Sequence, residues 1–538
     1  MDSCRRQFVL KLLPSMEDFA FLLPIMFLFG RMDGVKTLLG DGDTGWHIRT
    51  GEWILANHHV PLTDLFSYTK PGQPWIAWEW LSEVVFAGLN AWGGLALVLL
   101  VSVLLIAITL VLLFRLARRK SNPLVAFLVL PLAIATSSVH WLARPHLFSL
   151  VFLVFFYSVL DDVRGGRIRI FGIPRLALLP AATILWANLH AGFVIGIVLI
   201  ACFAAGEVLK LGLAAENSCL TAERARAKAY FVTAFACLLA SLLNPNFYQL
   251  HLHILRYVGD PYQSQHIVEF FSLSFHHPVA LFFECLLALG LAAALWNIAQ
   301  GSYTEAVLIV VWGHAALLAA RNLPLFAIVA TPIVAAALDR FFGRLPGWEV
   351  APWLRRAAAR FLALLEDTRK MESVPRWHLA SALAVLILAT LLYAPAPPSI
   401  FRAEYDPATY PAAAIPVLER EKPARIFTTA EWGGYLIYRL YPGIRVFIDG
   451  RSDLYGSKFG EKYLDVIKAH YNWRKVLGDA GVDTILLPPN TELCGALKAT
   501  GDWRLAYDDG VALVFRAVRN ERDNTVRDGP AGAGAGVS

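Results

Sequence analysis

Asp41-Gly-Asp-Thr-Gly-Trp-His-Ile-Arg-Thr-Gly-Glu-Trp-Ile-Leu55 stands where the first long apolar segment of the chain ends and a polar, aromatic loop begins. Two carboxylates, a histidine and an arginine within nine positions are out of character in a 538-residue chain that is 57% hydrophobic and 17% charged. Around this stretch, apolar runs recur at close to the roughly 20 residues that a helix needs to cross a bilayer. The fold class is therefore a polytopic α-helical membrane protein. Spans are expected near 18–40, 93–114, 122–141, 146–161, 176–189, 191–213, 229–243, 279–299, 304–320, 324–339 and 377–396, about eleven transmembrane helices in all.

Charge sets the direction of these spans, because basic loops stay on the cytoplasmic side. Arg5, Arg6 and Lys11 precede the first span, and Arg115, Arg118, Arg119 and Lys120 follow the second. Arg164, Arg167, Arg169 and Arg175, then Lys210, Arg224, Arg226 and Lys228, and finally the basic connector from Arg340 to Arg376 continue the alternation. The opposite loops hold only Arg49, Lys70, Arg144, Arg256 and Arg321, which puts them and the last 140 or so residues outside. The first apolar run begins after Asp18 and lacks a small-residue cleavage site, so it is expected to stay attached. Arg31, Asp33 and Lys36 fall in its outer half, where an Asp33–Lys36 pair would lower their cost. Six scattered cysteines show neither disulfide nor zinc spacing.

The first outer loop, 41–92, reads as two interfacial helices. Residues 44–56 carry Trp46, Trp53 and Ile54 at helical spacing, and 75–90 place Trp78, Leu81, Val85 and Leu89 on one side, with Glu79 and Glu83 a turn apart on another. Tryptophans at 46, 53, 75, 78, 80 and 92 suit anchoring at the headgroup level. With a helix starting at Asp43, His47 stands one turn along the same face and Arg49 lies nearby. A carboxylate there can act as base or metal ligand with His47 as second ligand, or Asp43 can simply cap the helix. Polar residues recur at other outer span ends: Arg144-Pro145-His146, Asn188 with His190, Asn244-Pro245-Asn246, Glu269, and Arg321-Asn322. Arg144 and Arg321 suit bidentate contact with a phosphate, or serve as snorkelling or capping residues.

From about residue 401 the composition becomes that of a soluble α/β domain. Strands are expected at 424–428, 445–449 and 483–487, with helices between and a closing hairpin across Asp508-Asp509-Gly510. Phe447-Ile-Asp-Gly-Arg-Ser-Asp453 follows a strand, a common ligand position, although an internal Asp449–Arg451 turn reads equally well. The organisation expected is a membrane domain over 1–400, an extracytoplasmic α/β domain over 401–518 and a disordered tail over 519–538. No nucleotide-binding fingerprint or Walker loop is present, and no nucleic-acid partner is expected.

This arrangement resembles the polyprenyl-phosphate-sugar-dependent glycosyltransferases of the GT-C superfamily. Asp43-Thr-Gly-Trp-His-Ile-Arg49 is similar to the Asp-x-x-x-(Asn/His)-x-Arg arrangement of the oligosaccharyltransferase branch. Lys70-Pro-Gly-Gln-Pro-Trp-Ile-Ala-Trp-Glu-Trp-Leu81 is loosely similar to the Lys-Pro-Pro...Trp-Leu stretch of the protein mannosyltransferase and lipid A aminoarabinose transferase branches. The chain lacks the Asp-Glu pair of the mannosyltransferase branch and the Trp-Trp-Asp motif of the oligosaccharyltransferase branch. The resemblance implies sugar transfer from a polyprenyl-phosphate donor to a lipid, glycan or protein acceptor, outside a bacterial cytoplasmic membrane. Asp43 or Asp41 would be the base, while Arg144, Arg321 or Lys36 would hold the leaving phosphate. His47, Arg49, Glu79, His146 and His190 would line the substrate site. If a divalent metal takes part, Asp41, Asp43 and His47 are the expected ligands and Mg2+ or Mn2+ the expected ion. The alternatives are a carrier or flippase for lipid-linked saccharides, and a non-catalytic protein binding envelope polymers.

Overall fold

The computed structural model describes residues 10–214, 220–345 and 351–518. Arg5, Arg6 and the expected tail lie outside the described residues. The chain divides into two units, one of Met1–Leu62 with Ile76–Glu404 and one of Thr63–Trp75 with Tyr405–Ser538.

The first unit is a helical membrane bundle. Among the described residues, seven helices are long and apolar enough to cross a membrane: Leu10–Gly30, Trp80–Ala117, Pro123–His140, His146–Arg164, Phe193–Gly212, Ala280–Ala299 and Ala320–Arg344. Three shorter apolar helices, Arg175–Leu189, Thr304–Leu318 and Leu379–Leu392, coincide with further expected spans, and Thr221–Ala240 overlaps the one expected at 229–243. Large apolar side chains such as Phe235, Leu281, Leu295 and Leu386 stay more than half exposed, which water would penalise and lipid does not. The first helix ends at Gly30, so Arg31, Asp33 and Lys36 lie beyond it rather than in its outer half. Asp33 donates its amide to Thr37 Oγ1, and the short helix Val35–Leu38 follows.

Two features of the sequence shape the entrance to this bundle. Asp43–Asn57 forms the helix expected as the first interfacial one, and His58 closes it in the left-handed conformation, accepting the sharp turn away. The second begins at Trp80, five residues later than the tryptophan periodicity indicates, because Trp75 belongs to the other unit. It continues into a span through a break at Gly93 and Gly94, where Gly94 adopts φ 65° and ψ −171°, a region open to glycine. The two interfacial helices pack so closely that a Cβ on Gly51 would lie 1.9 Å from the backbone oxygen of Glu83. The tryptophans divide: Trp92 is 84% exposed, as an interfacial anchor would be, whereas Trp46 and Trp75 are buried in protein.

The second unit is built on a four-stranded sheet. Ile426–Phe427 pairs in parallel with Thr484–Leu487, which pairs antiparallel with Leu513–Ala517, itself paired with Trp503–Asp508. Helices Ala430–Leu440, Ser457–Ile467, Trp473–Asp479 and Glu492–Lys498 fill the connections. The strand expected at 445–449 is reduced to single bridges: Val446 pairs with Ile426 on one side and with Ser67 on the other. Thr63–Trp75 thereby extends the sheet, with Val446 N donating to Phe66 O and Tyr68 N to Val446 O. The apolar core includes Phe427, Phe447, Ile485, Leu487, Leu493 and Phe515.

Arg451 is 2% exposed and explains how the excursion is held. Its guanidinium donates to both carboxylate oxygens of Asp449 at 2.8 and 2.7 Å and to Asp64 Oδ1 at 2.7 Å. Its plane lies 4.5 Å from the Trp75 ring centre and 5.0 Å from that of Phe66. The Phe447–Asp453 segment is therefore an internal ionic turn, the second of the two readings its sequence allowed.

Candidate active site

Five loops at one end of the bundle bring ionisable side chains together, and hydrogen bonds between their backbones fix the meeting. Ala143 N donates to Leu38 O at 2.8 Å and Thr44 Oγ1 to Ala143 O at 2.9 Å, which sets Arg144 beside the start of the first interfacial helix. Pro145 disfavours a helical Arg144, so the arginine precedes the helix His146–Arg164. Arg144 reaches Asp41 Oδ2 at 3.0 Å, Asp43 Oδ2 at 3.0 Å and Glu269 Oε2 at 3.4 Å. Ala320 N donates to Phe271 O at 2.8 Å, joining two more loops, and Arg321 Nη1 meets Glu269 Oε1 at 3.0 Å. Glu269 thus bridges two guanidinium groups.

The start of the Asp43–Asn57 helix differs from the simple cap reading. Gly42 occupies the cap position and Asp43 is the first helical residue, while Asp41 Oδ1 accepts the Asp43 amide at 3.1 Å. The capping role falls to Asp41, and Asp43 turns both oxygens to other work: Oδ1 accepts from Trp46 Nε1 at 3.0 Å and Oδ2 faces Arg144. Burial raises the Asp43 carboxyl to about 7; Arg144 pulls against this, and the neighbouring charges of Asp41 and Glu269 add to it. Burial raises Asp41 too, again opposed by Arg144. Glu269 goes the other way: burial would raise it, but Arg321 and Arg144 together outweigh burial and bring it down to about 2. The cluster therefore holds one firmly ionised carboxylate and one poised near neutrality.

A second group of polar side chains lies on the interfacial helices. His47 faces Glu79 Oε2 at 3.6 Å with Nε2 and Glu83 Oε1 at 3.4 Å with Nδ1. The close approach at Gly51, one turn further along the helix, is what brings both glutamates within reach. Glu79 also meets His190 Nε2 at 3.2 Å. The Gly192 amide donates to His190 Nδ1 at 2.9 Å, which leaves the proton of the neutral ring on Nε2, directed at Glu79. His190 is neutral because burial, and then the charges of Arg321 and Arg144, lower it to about 3. Trp80 Nε1 donating to Asn188 Oδ1 at 2.8 Å and Ser82 Oγ to Leu189 O at 2.6 Å fasten this loop to the second interfacial helix.

Of the residues singled out in the sequence, Asp41 and Asp43 meet at Arg144, Glu269 links Arg144 to Arg321, and His47, Glu79 and His190 form a chain of contacts. His146 is buried and its Nε2 lies 2.9 Å from His140 O, a support under the loop. Arg49 Nη1 pairs with Glu52 at 2.6 Å, its three-residue helical neighbour. Glu83 and Glu269 were visible as acidic groups beside the site, but only tertiary packing assigns them partners. His140, 3.8 Å from Glu269, gave no signal of its own.

The expected metal ligands do not converge. Asp41 and Asp43 face Arg144 whereas His47 faces Glu79 and Glu83, and among the described residues no three His, Cys, Asp or Glu side chains are gathered to hold an ion. The guanidinium of Arg144 supplies the positive charge between the aspartates, so the donor set does not fit Mg2+ or Mn2+.

No protein-family model matches the chain and no curated protein is similar to it at the sequence level. Among solved structures, the apo oligosaccharyltransferase of Archaeoglobus fulgidus aligns over 88% of this chain and 69% of its own, with 12% identity and a TM-score of 0.51. ArnT from Cupriavidus metallidurans aligns in its apo state over 88% and 93% of the two chains at 14% identity and a TM-score of 0.47. Its complex with undecaprenyl phosphate aligns over 93% and 97% at 15% identity and a TM-score of 0.45. This chain is a multi-pass helical membrane protein with a small C-terminal α/β sheet region, and its fold is similar to that of the oligosaccharyltransferase.

Proposed function

We propose that the protein is a membrane glycosyltransferase that moves a sugar from a polyprenyl-phosphate donor to a hydroxyl of a lipid, glycan or protein acceptor. The observation that carries this reading is the placement of Asp43, a part-buried carboxyl raised to about 7, on the guanidinium of Arg144 with Arg321 beyond it. A base and a pair of cations suited to phosphate then share one part-buried cluster, the two elements such a displacement needs.

In the step proposed, ionised Asp43 accepts the acceptor's hydroxyl proton as that oxygen bonds to the anomeric carbon. The bond from the anomeric carbon to the donor phosphate oxygen breaks, and its electron pair leaves with the phosphate. Arg144 and Arg321 take up the charge that develops there, in the position where Glu269 now bridges them. Asp41 holds the first turn of the helix so that Asp43 keeps its aim. No step is routed through a metal. The alternation of basic loops supports a site on the outer face of a cytoplasmic membrane, which we take to be bacterial.

The test is transfer of radiolabel from polyprenyl-phosphate sugars in membranes carrying wild type or Asp43→Asn at matched expression. A base contributes about 10²–10⁴-fold, so Asp43→Asn is expected to lose at least about 100-fold while donor binding persists. Wild-type membranes that consume no donor from a panel of such lipids, yet move lipid-linked sugar across proteoliposomes, would replace the transferase with a carrier.

A further inference from the structure

The second unit contains an open pocket of about 470 Å³ lined by Lys70, Tyr455, Gly456, Ser457, Lys458, Phe459 and Lys462. We propose that this pocket is a binding site for a phosphoryl group, held by the ammonium groups of Lys70, Lys458 and Lys462. The proposal does not depend on the chain being a transferase.

Three observations point there. First, the lysines converge without a neutralising partner among the described residues, where none of the three has a carboxylate within ion-pair distance. Lys458 and Lys462 stand one turn apart on the helix Ser457–Ile467, where like charges destabilise a helix. Lys70 comes from a segment separated from them by hundreds of residues, and the charge of Lys462, after partial burial, lowers its basicity. A site that keeps three mutually repelling cations around one cavity is complementary to an anion.

Second, Lys70 is placed rather than loose. The excursion Thr63–Trp75 is stitched into the sheet beside Val446, Thr69 Oγ1 donates to Phe447 O at 2.6 Å and Tyr68 OH to Ile426 O at 3.2 Å. Its Nζ then lies 5.0 Å from the centre of the Phe459 ring, a contact that fixes the stem while leaving the charge at the pocket. Third, the pocket offers ammonium donors and the Ser457 hydroxyl but no acidic acceptor. Lysines are compact point charges suited to a multiply charged tetrahedral anion, and a single carboxylate would leave the site with excess positive charge.

The test uses the full chain in nanodiscs and reads acetylation of individual lysines by mass spectrometry, with inorganic pyrophosphate as soluble probe and about 20% phosphatidic acid in the bilayer as lipid probe. At constant ionic strength, either probe is expected to slow acetylation of Lys70, Lys458 and Lys462 together by about fivefold, while Lys475 and Lys498 react as before. Protection by pyrophosphate identifies a soluble phosphorylated ligand; protection only in phosphatidic acid bilayers identifies a lipid headgroup. Lys462→Glu, a change at an exposed position, should abolish protection of the other two lysines. Equal labelling with and without both probes, or protection of Lys70 and Lys458 that survives Lys462→Glu undiminished, overturns the proposal.

Discussion

Asp43 and Arg144 carry most of what a single residue can say about this protein. With its carboxyl at about 7, Asp43 is mostly protonated at pH 6 and mostly ionised at pH 8. Transfer activity limited by this base should therefore rise with pH through about 7, and a pH–rate profile checks it; an activity flat from pH 5.5 to 8.5 would remove Asp43 from that role. The stability consequence has the opposite sense. The native carboxyl binds a proton more tightly than the unfolded one, so ionising it costs stability as pH rises from about 4 towards 7. Asp43→Asn should flatten the pH dependence of thermal stability over that window. Arg144 spans three carboxylates with a planar fork that a lysine cannot reproduce. Arg144→Lys should keep the charge yet lower transfer by about 100-fold, with most of the loss in kcat when donor is saturating.

At the scale of elements, the contact between the two interfacial helices decides the geometry. Gly51 allows the backbone at Glu83 to approach, and through it His47 reaches both Glu79 and Glu83. Gly51→Ala should force the helices apart, costing about 1–3 kcal/mol by overpacking, with a lowered melting temperature in detergent as the readout. Gly88, on the second interfacial helix, has no atom within 4 Å of an added Cβ, so Gly88→Ala is the matched control and should not destabilise. The sequence makes the first of these helices legible almost to the residue, since Asp43–Asn57 contains the periodicity of 44–56. It misplaces the start of the second because Trp75 and Trp78 continue a helical spacing that tertiary context overrides: Trp75 packs on Arg451 in the other unit's core. The tryptophan count likewise suggested six interfacial anchors, and two of them are buried because a ring that anchors at a headgroup also fills a core.

At the scale of the whole molecule, the C-terminal unit is discontinuous in sequence. Asp64, from the excursion, shares Arg451 with Asp449, all three essentially without exposure. Removing one partner of a buried ionic group leaves charge without compensation. Asp449→Ala should lower the stability of this unit by about 3–5 kcal/mol, seen as faster hydrogen exchange in Thr484–Leu487, whereas Asp465→Ala, whose partner His470 is exposed, should change little. The basic residues beyond the opposite ends of the spans are also more engaged than a count of positive charges suggests. Arg115 and Arg118 pair with Glu17, Arg119, Arg167 and Arg175 with Asp162, and Arg164 with Glu305. The residues that would orient the chain in a membrane also close one end of the bundle.

What the sequence by itself determined is what local chemistry and length can encode. Runs of apolar residues specify spans because backbone groups in lipid must be satisfied within a helix. The acidic cluster after the first span, and the solitary arginines at other span ends, stand out because charge is costly there and persists only when it is compensated. Only the tertiary structure decided which of those charges meet. Asp43 pairs with a guanidinium 101 positions away in the chain, Arg49 with its own helical neighbour, and His47 with glutamates rather than with the aspartates beside it. The same holds for Thr63–Trp75, which the chain order assigns to a membrane loop and the hydrogen bonds assign to a sheet. Spacing along a chain constrains neighbours within a turn of helix; partners across loops are chosen by packing, which no short window of sequence contains.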